Sequence, residues 1–192
     1  MKKVVFKKDS VKGYNKNGIY IEPGVLIHSG AVVFSGNIIL GKCEIGACTL
    51  LPNNIIEGAV IGDGSTIGPF ARLRPNTYIS QGCKLGNFVE VKNSIIGDYT
   101  KANHLTYIGD AEIGSNCNIG CGVIFCNYDG KKKNHTFVGD NVFIGSNVNI
   151  IAPVKIESNT TIAAGSTITD AVPQGALAIG RARQINKEDW SR

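Results

Sequence analysis

The chain has 192 residues, the length of one domain, with 43% hydrophobic residues, only 7% aromatics and 24 glycines. So much glycine argues against a helical bundle and for a fold of many tight turns, while a net charge of +5 suits anionic small molecules and does not by itself indicate nucleic acid. No apolar run approaches the ~20 residues of a membrane span, and the short Val4-Val5-Phe6 stretch is no signal-peptide core, so a cytoplasmic protein is expected.

In chain order, residues 1–18 come first, with Lys2, Lys3, Lys7, Lys8, Lys12 and Lys16 against the single acid Asp9. They read as a solvated, basic lead-in rather than a binding patch. A six-residue rhythm follows. It is faint at Ile21, Ile27 and Val33, then regular at Ile61, Ile67, Leu73, Ile79, Leu85 and Val91. After a five-residue step it resumes at Ile96, Ala102 and Ile108, then at Ile113 and Ile119, and last from Val138 through Ile144, Ile150, Ile156 and Ile162 to Ile168.

A period of six misses the 3.6-residue helix but is a multiple of the strand's period of two, so these aliphatics all point one way. Gly, Asn, Asp and Ser between them are turn formers. The pattern predicts an all-β parallel β-helix over residues 19–172: a short strand and a corner every six residues, about eight coils and a stack on the order of 40 Å tall.

Residues 125–137, FCNYDGKKKNHTF, interrupt the rhythm and read as one extruded loop, because Asp129-Gly130 favours a turn and its lysines cannot face a core. The stretch 173–192 reads as a non-repeat tail with a basic end at Arg181, Arg183 and Lys187. Six cysteines without a CxxC pair are expected to be reduced and to serve as small packing residues.

The blocks GPFARLRP (68–75), GNFVEVKNS (86–94), KANHLTYIGDAEIGSNCNIGCG (101–122), CNYDGKKKNHT (126–136), GDNVFIGSN (139–147), APV with IAAGST (152–154, 162–167) and ALAIGRARQINKEDW (176–190) carry a specific likeness. Over about two-thirds of its length the chain resembles the acetyltransferase half of the bifunctional glucosamine-1-phosphate acetyltransferase/N-acetylglucosamine-1-phosphate uridyltransferase family, within the hexapeptide-repeat acyltransferases. The resemblance implies a left-handed coil, a homotrimer with sites between neighbouring coils, and acetyl transfer from acetyl-CoA to the amine of glucosamine 1-phosphate on the way to UDP-GlcNAc.

It also implies residue roles. His104 would be the catalytic base, with Glu90 to orient it. Arg74, Lys92 and Lys133 would hold the sugar phosphate, with Tyr107 and Asn118 seating the sugar. Asn127 and Tyr128 would line the junction of sugar and thioester, and Cys121 (through its backbone), Ser146, Ala164 and Arg181 would contact acetyl-CoA. The tail would contribute to that binding. The chemistry suits these types: an ammonium must lose a proton before its nitrogen attacks, and His is the side chain for that, while Arg offers phosphate a bidentate fork.

The chain departs from the family in three ways. No Gly-rich nucleotide-binding opening precedes the repeat, so uridyl transfer is expected to be absent. Asn134 and His135 stand where an aromatic and a basic residue are usual, and Cys121 stands where alanine is common. The competing readings are an acetyltransferase for another amino sugar, a non-catalytic scaffold, and a zinc site built from His28, His104 and His135, whose spacing gives no ligand signature. No metal, nucleic acid or membrane is expected as a partner.

Overall fold

In the computed structural model, which describes residues 1–190, all twenty aliphatics of the six-residue series are at most 5% exposed. The buried ladder is more continuous than the pattern suggests. Ile39, Ile45, Leu50 and Ile56 bridge the gap between Val33 and Ile61 with steps of five and six, and Phe125 takes the place six residues after Ile119. Each fully buried aliphatic contributes roughly 1.5–3 kcal/mol. The result is an all-β parallel solenoid of about nine turns, consistent with a left-handed coil.

Each turn has three faces. Strands such as Thr66–Ile67, Asn118–Ile119 and Phe143–Ile144 stack on face one. Arg72–Leu73, Ile124–Cys126 and Asn149–Ile151 stack on face two, and Thr77–Ile79, Ser94–Ile96 and Ala111–Ile113 on face three. Lys84–Lys92 and Lys101–Gly109 are nine residues long, so they run from face one onto face two and pair in register from Lys84↔Lys101 to Lys92↔Gly109.

The corners explain the Gly and Asn content. Most turn through a residue with positive φ, and these residues stack along three edges. One edge carries Gly82, Tyr99, Asn116, Asn141 and Asn159; another carries Gly58, Asn76, Asn93 and Asp110. The third, between faces one and two, carries Asn53, Phe70, Phe88, Leu105, Gly122, Asn147 and Gly165. Asn and Asp tolerate left-handed backbone, whereas bulky Phe and Leu there are costly. That third edge therefore departs from the rule at three successive turns.

Four cysteines, Cys43, Cys48, Cys83 and Cys117, lie in the core. Burial pushes the Cys48 thiol up to about 12 and the Cys83 thiol up to about 11, so both are inert packing groups.

Three expected boundaries shift. The lead-in is built into the fold: it runs backwards around the first turn, with Lys3–Val5 antiparallel to Val32–Phe34, Ser10 bridging Ile27, and Tyr14–Lys16 antiparallel to Ile19–Ile21. Its six lysines all stay exposed. The coil also continues past 172, because Leu177–Ala178 pairs with Thr161–Ile162; of the expected tail, residues 191 and 192 lie outside the described residues. Finally, strands Ile124–Cys126 and Thr136–Val138 claim both ends of the expected 125–137 loop, which leaves residues 127–135 extruded. Among the described residues no helix is long and apolar enough to cross a membrane.

Candidate active site

The strand Lys101–Gly109 carries the candidate chemistry on both sides of its corner at Leu105. His104 lies just before the corner residue Leu105, exposed, with its Nδ1 2.8 Å from Asn87 Oδ1 on the strand below. Three candidate acetyl-CoA contacts rise above it along the same edge. Cys121 precedes Gly122, Ser146 precedes Asn147, and Ala164 precedes Gly165. The backbone stitches these turns together: Gly122 N–H donates to Leu105 O (2.9 Å), Asn147 N–H to Cys121 O (2.8 Å) and Gly165 N–H to Ser146 O (2.8 Å). Each step up is about 4.8 Å. Arg181 lies over the top, so that a β-carbon on Gly165 would sit 3.6 Å from its Cδ. Asn118 is on face one, three residues before Cys121, and so belongs to this side of the molecule. A cleft of about 380 Å³ below the histidine is lined by Thr66, Pro69, Lys84, Asn87 and Asn103 among others.

The far end of the strand is cationic. Leu73, Val91 and Ile108 are in register, which stacks Arg74, Lys92 and Gly109 as the next residues on successive turns. Arg74 Nη1 pairs with Glu90 Oε1 at 3.0 Å. The extruded loop brings Lys133 against Lys92, and this like charge, foremost, holds the Lys92 ammonium below the usual lysine range. Two ammonium groups side by side can be bridged by an anion such as a phosphate.

The loop is held at its root and at its tip. At the root, the buried Asp110 accepts from Asn93 Nδ2 (2.6 Å) and from Asn127 Nδ2, which also lies 3.4 Å from the Tyr107 hydroxyl. At the tip, Asp129 accepts from the N–H groups of Lys131 and Lys132 (2.8 Å each) and from Asn134 Nδ2 (2.9 Å). Those hydrogen bonds hold the Asp129 carboxyl down at about 2. Asn134, the departure from the family pattern, thus closes the loop. Tyr128 is exposed on it and donates to Gly130 O at 2.8 Å.

The candidate residues therefore form two groups. Arg74, Lys92, Tyr107, Asn127 and Lys133 gather at one end of the strand. His104, Asn118, Cys121, Ser146, Ala164 and Arg181 gather at the other. His104 stands just before the corner at Leu105 and Gly109 ends the strand on the next face, so the two groups flank one corner of the coil. Glu90, expected to orient His104, is engaged by Arg74; the partner of His104 is Asn87. The sequence reading passed over Asn87 and Asp110. Asp110 had a signal in its position, one turn below the point where the rhythm breaks. The histidines do not converge: His28 sits between Glu44 (2.9 Å) and Asp9 (3.4 Å), and His135 is in the loop.

Comparison with known proteins gives consistent matches. Residues 58–93 and 135–170 match the family "Bacterial transferase hexapeptide (six repeats)". The bifunctional protein GlmU of Clostridium tetani is 51% identical over 191 residues, covering 91% of this chain and 42% of that protein. GlmU of Clostridium kluyveri is 47% identical with the same coverage, and GlmU of Clostridium botulinum is 51% identical over 146 residues, 76% of this chain and 32% of that protein. The chain thus spans about two-fifths or less of the length of these relatives. Among solved structures, a mutant perosamine N-acetyltransferase from Caulobacter crescentus in complex with CoA and GDP-perosamine superposes with a TM-score of 0.54 at 25% identity, over 60% of this chain and 53% of that one. LpxA of Bacteroides fragilis shares the fold at a TM-score of 0.52 and 18% identity, covering 88% of this chain and 71% of that one.

Proposed function

Because the chain belongs to the bacterial hexapeptide-repeat transferases and shares about half its residues with GlmU proteins, we propose that it is an acetyl-CoA-dependent acetyltransferase that acts on the amine of glucosamine 1-phosphate in the cytoplasm. The observation that carries this reading is the division of the candidate groups between the two ends of one strand.

In glucosamine 1-phosphate the amine and the phosphate sit on neighbouring carbons, so one molecule needs its base and its phosphate clamp close together, whereas in one chain the two groups lie on different faces of the coil, on either side of the corner at Leu105. A second copy can close the gap, placing the cationic end of one coil against the histidine end of the next. Three such head-to-tail contacts close a ring, which makes a homotrimer with three sites the economical assembly. The third edge supports it. Phe70 and Phe88 stack there with ring centroids 5.6 Å apart, and Phe70, Phe88 and Leu105 are each about half exposed despite their costly backbone. An apolar ridge of that kind is suited to burial against a neighbour.

The chemistry follows from the parts. Arg74, Lys92 and Lys133 neutralise the phosphate, which relieves the repulsion between the two lysines, and Tyr107 and Asn127 border the sugar beside them. His104 removes a proton from the ammonium, and the freed nitrogen lone pair attacks the thioester carbonyl. A backbone N–H at Cys121 is placed to receive the charge that develops on the carbonyl oxygen. Collapse of the tetrahedral intermediate breaks the C–S bond, the departing CoA thiolate takes the proton from the His104 imidazolium, and the second proton of the attacking nitrogen passes through the regenerated imidazole to water as the neutral amide forms. Ser146, Ala164 and Arg181 line the path of CoA up the edge.

The test is turnover of glucosamine 1-phosphate, glucosamine 6-phosphate and glucosamine with acetyl-CoA, followed by thiol release. The 1-phosphate is expected to be the preferred acceptor. Preference for either of the others would overturn the acceptor, and a species near 20.4 kDa in light scattering of the active enzyme would overturn the shared site.

A further inference from the structure

The strand beneath His104 supplies a partner that no motif singled out. Asn87 and His104 are a register pair on Lys84–Lys92 and Lys101–Gly109, and Asn87 Oδ1 stands 2.8 Å from His104 Nδ1. Each is followed by a corner residue of positive φ, Phe88 at 57° and Leu105 at 44°. The sharp turn directly after both residues fixes where their side chains leave the backbone.

We propose that Asn87 is the positioning residue for the base, accepting a hydrogen bond from His104 Nδ1–H and so placing the imidazole lone pair on Nε2. This rests on the acetyl-transfer reading. An imidazole has two nitrogens, and only one can be lone-paired in the neutral ring; which one is decided by the bond the other makes. A carbonyl oxygen held against Nδ1 accepts a hydrogen bond but offers no proton, so it selects the Nδ1–H form. The nearby carboxylate that could have done the same, Glu90, is engaged by Arg74. An amide also carries no charge. It can orient the ring without the pull on the proton that a carboxylate exerts, which leaves the imidazolium free to return its proton to the leaving thiolate.

The proposal is tested by two independent readouts on the full chain. The first is ¹⁵N NMR of histidine-labelled protein above the His titration, with the His104 signals assigned by their loss in His104→Ala. Wild type is expected to show Nδ1 protonated, and Asn87→Ala a mixture of tautomers. An Nε2-protonated ring in wild type, or an unchanged tautomer in Asn87→Ala, overturns the proposal. The second is steady-state kinetics. Asn87→Ala is expected to lose at least about 10-fold in kcat, part of the about 10²–10⁴ a positioned base supplies, with KM for both substrates held within about two-fold. Asn87→Asp is expected to recover part of kcat and to move the acid limb of its pH profile upward by about one unit.

An unchanged kcat in Asn87→Ala, or a loss seen in KM alone, sinks the idea. Asn87→Ser and circular dichroism guard against a folding defect. If wild type transfers no acetyl group, the acetyl-transfer reading falls, and the NMR result still decides the role of Asn87.

Discussion

The two ends of the strand Lys101–Gly109 are built by opposite means. The histidine end is made by repetition: His104, Cys121, Ser146 and Ala164 each occupy the place just before a corner, and the coil stacks them on successive turns. The cationic end is made by interruption. Arg74 and Lys92 stand on regular turns, but Lys133 and Asn127 arrive on a loop inserted one turn above Asp110. Repetition supplies a long groove suited to an extended cofactor, and interruption supplies a compact clamp suited to a small anion. A regular scaffold thus obtains two recognition modes from one strand.

The sharpest way to break this comparison is to disable each end in a different copy. His104→Ala alone, and Lys92→Met alone, are each expected to lose at least about 10²-fold in kcat/KM. A co-expressed equal mixture should recover roughly a quarter of wild-type turnover, because some contacts in the ring then join two intact ends. Failure of the mixture to exceed either parent would place the whole site within one chain.

A smaller effect should separate binding from stability at the clamp. Lys133→Ala removes a charge-assisted contact worth about 1.5–3 kcal/mol, so KM for the acceptor should rise about 10- to 100-fold. The melting temperature should not fall, since Lys133 lies against the like-charged Lys92. A loss of stability with KM unchanged would make Lys133 a structural residue.

The smallest effect concerns the loop tip. The Asp129 carboxyl is lowered from 3.8 to about 2 by its hydrogen bonds. A depressed carboxylate lends stability above its unfolded value and loses it as pH falls through the folded one. The protection factors of the Lys131 and Lys132 amides, relative to intrinsic exchange at each pH, should therefore fall between about pH 4 and pH 2 while those of the Ile144 and Ile162 amides stay high. Equal exchange across the loop and the coil would deny the tip its separate clasp.

Legibility in the sequence follows the same division. The coil was readable because burial imposes one aliphatic every five or six residues, and all twenty positions read from Ile21 to Ile168 are buried. Phe125 was misplaced into the loop because an aromatic before Cys126 and Asn127 looks like the start of the interruption; in the structure it is the last rung beneath it. Asn87 was missed for a physical reason. A neutral amide has no spacing signature, and its role exists only because a strand seventeen residues later in the chain lies in register with it. Glu90 was named through the family resemblance, and neither that likeness nor the periodicity says which neighbour a half-exposed side chain will choose.

The reversed first turn has a geometrical consequence for anyone who attaches something to this protein. It brings the start of the chain back to the foot of the third edge, where Ser35 N–H donates to Lys2 O at 2.9 Å beside Gly36. From Gly36 the edge climbs through Asn53, Phe70 and Phe88 to Leu105, a rise of about 19 Å at strand spacing. A fluorophore or tether fixed at Met1 therefore emerges sideways, below the groove, within energy-transfer range of a labelled CoA and clear of the column's axis.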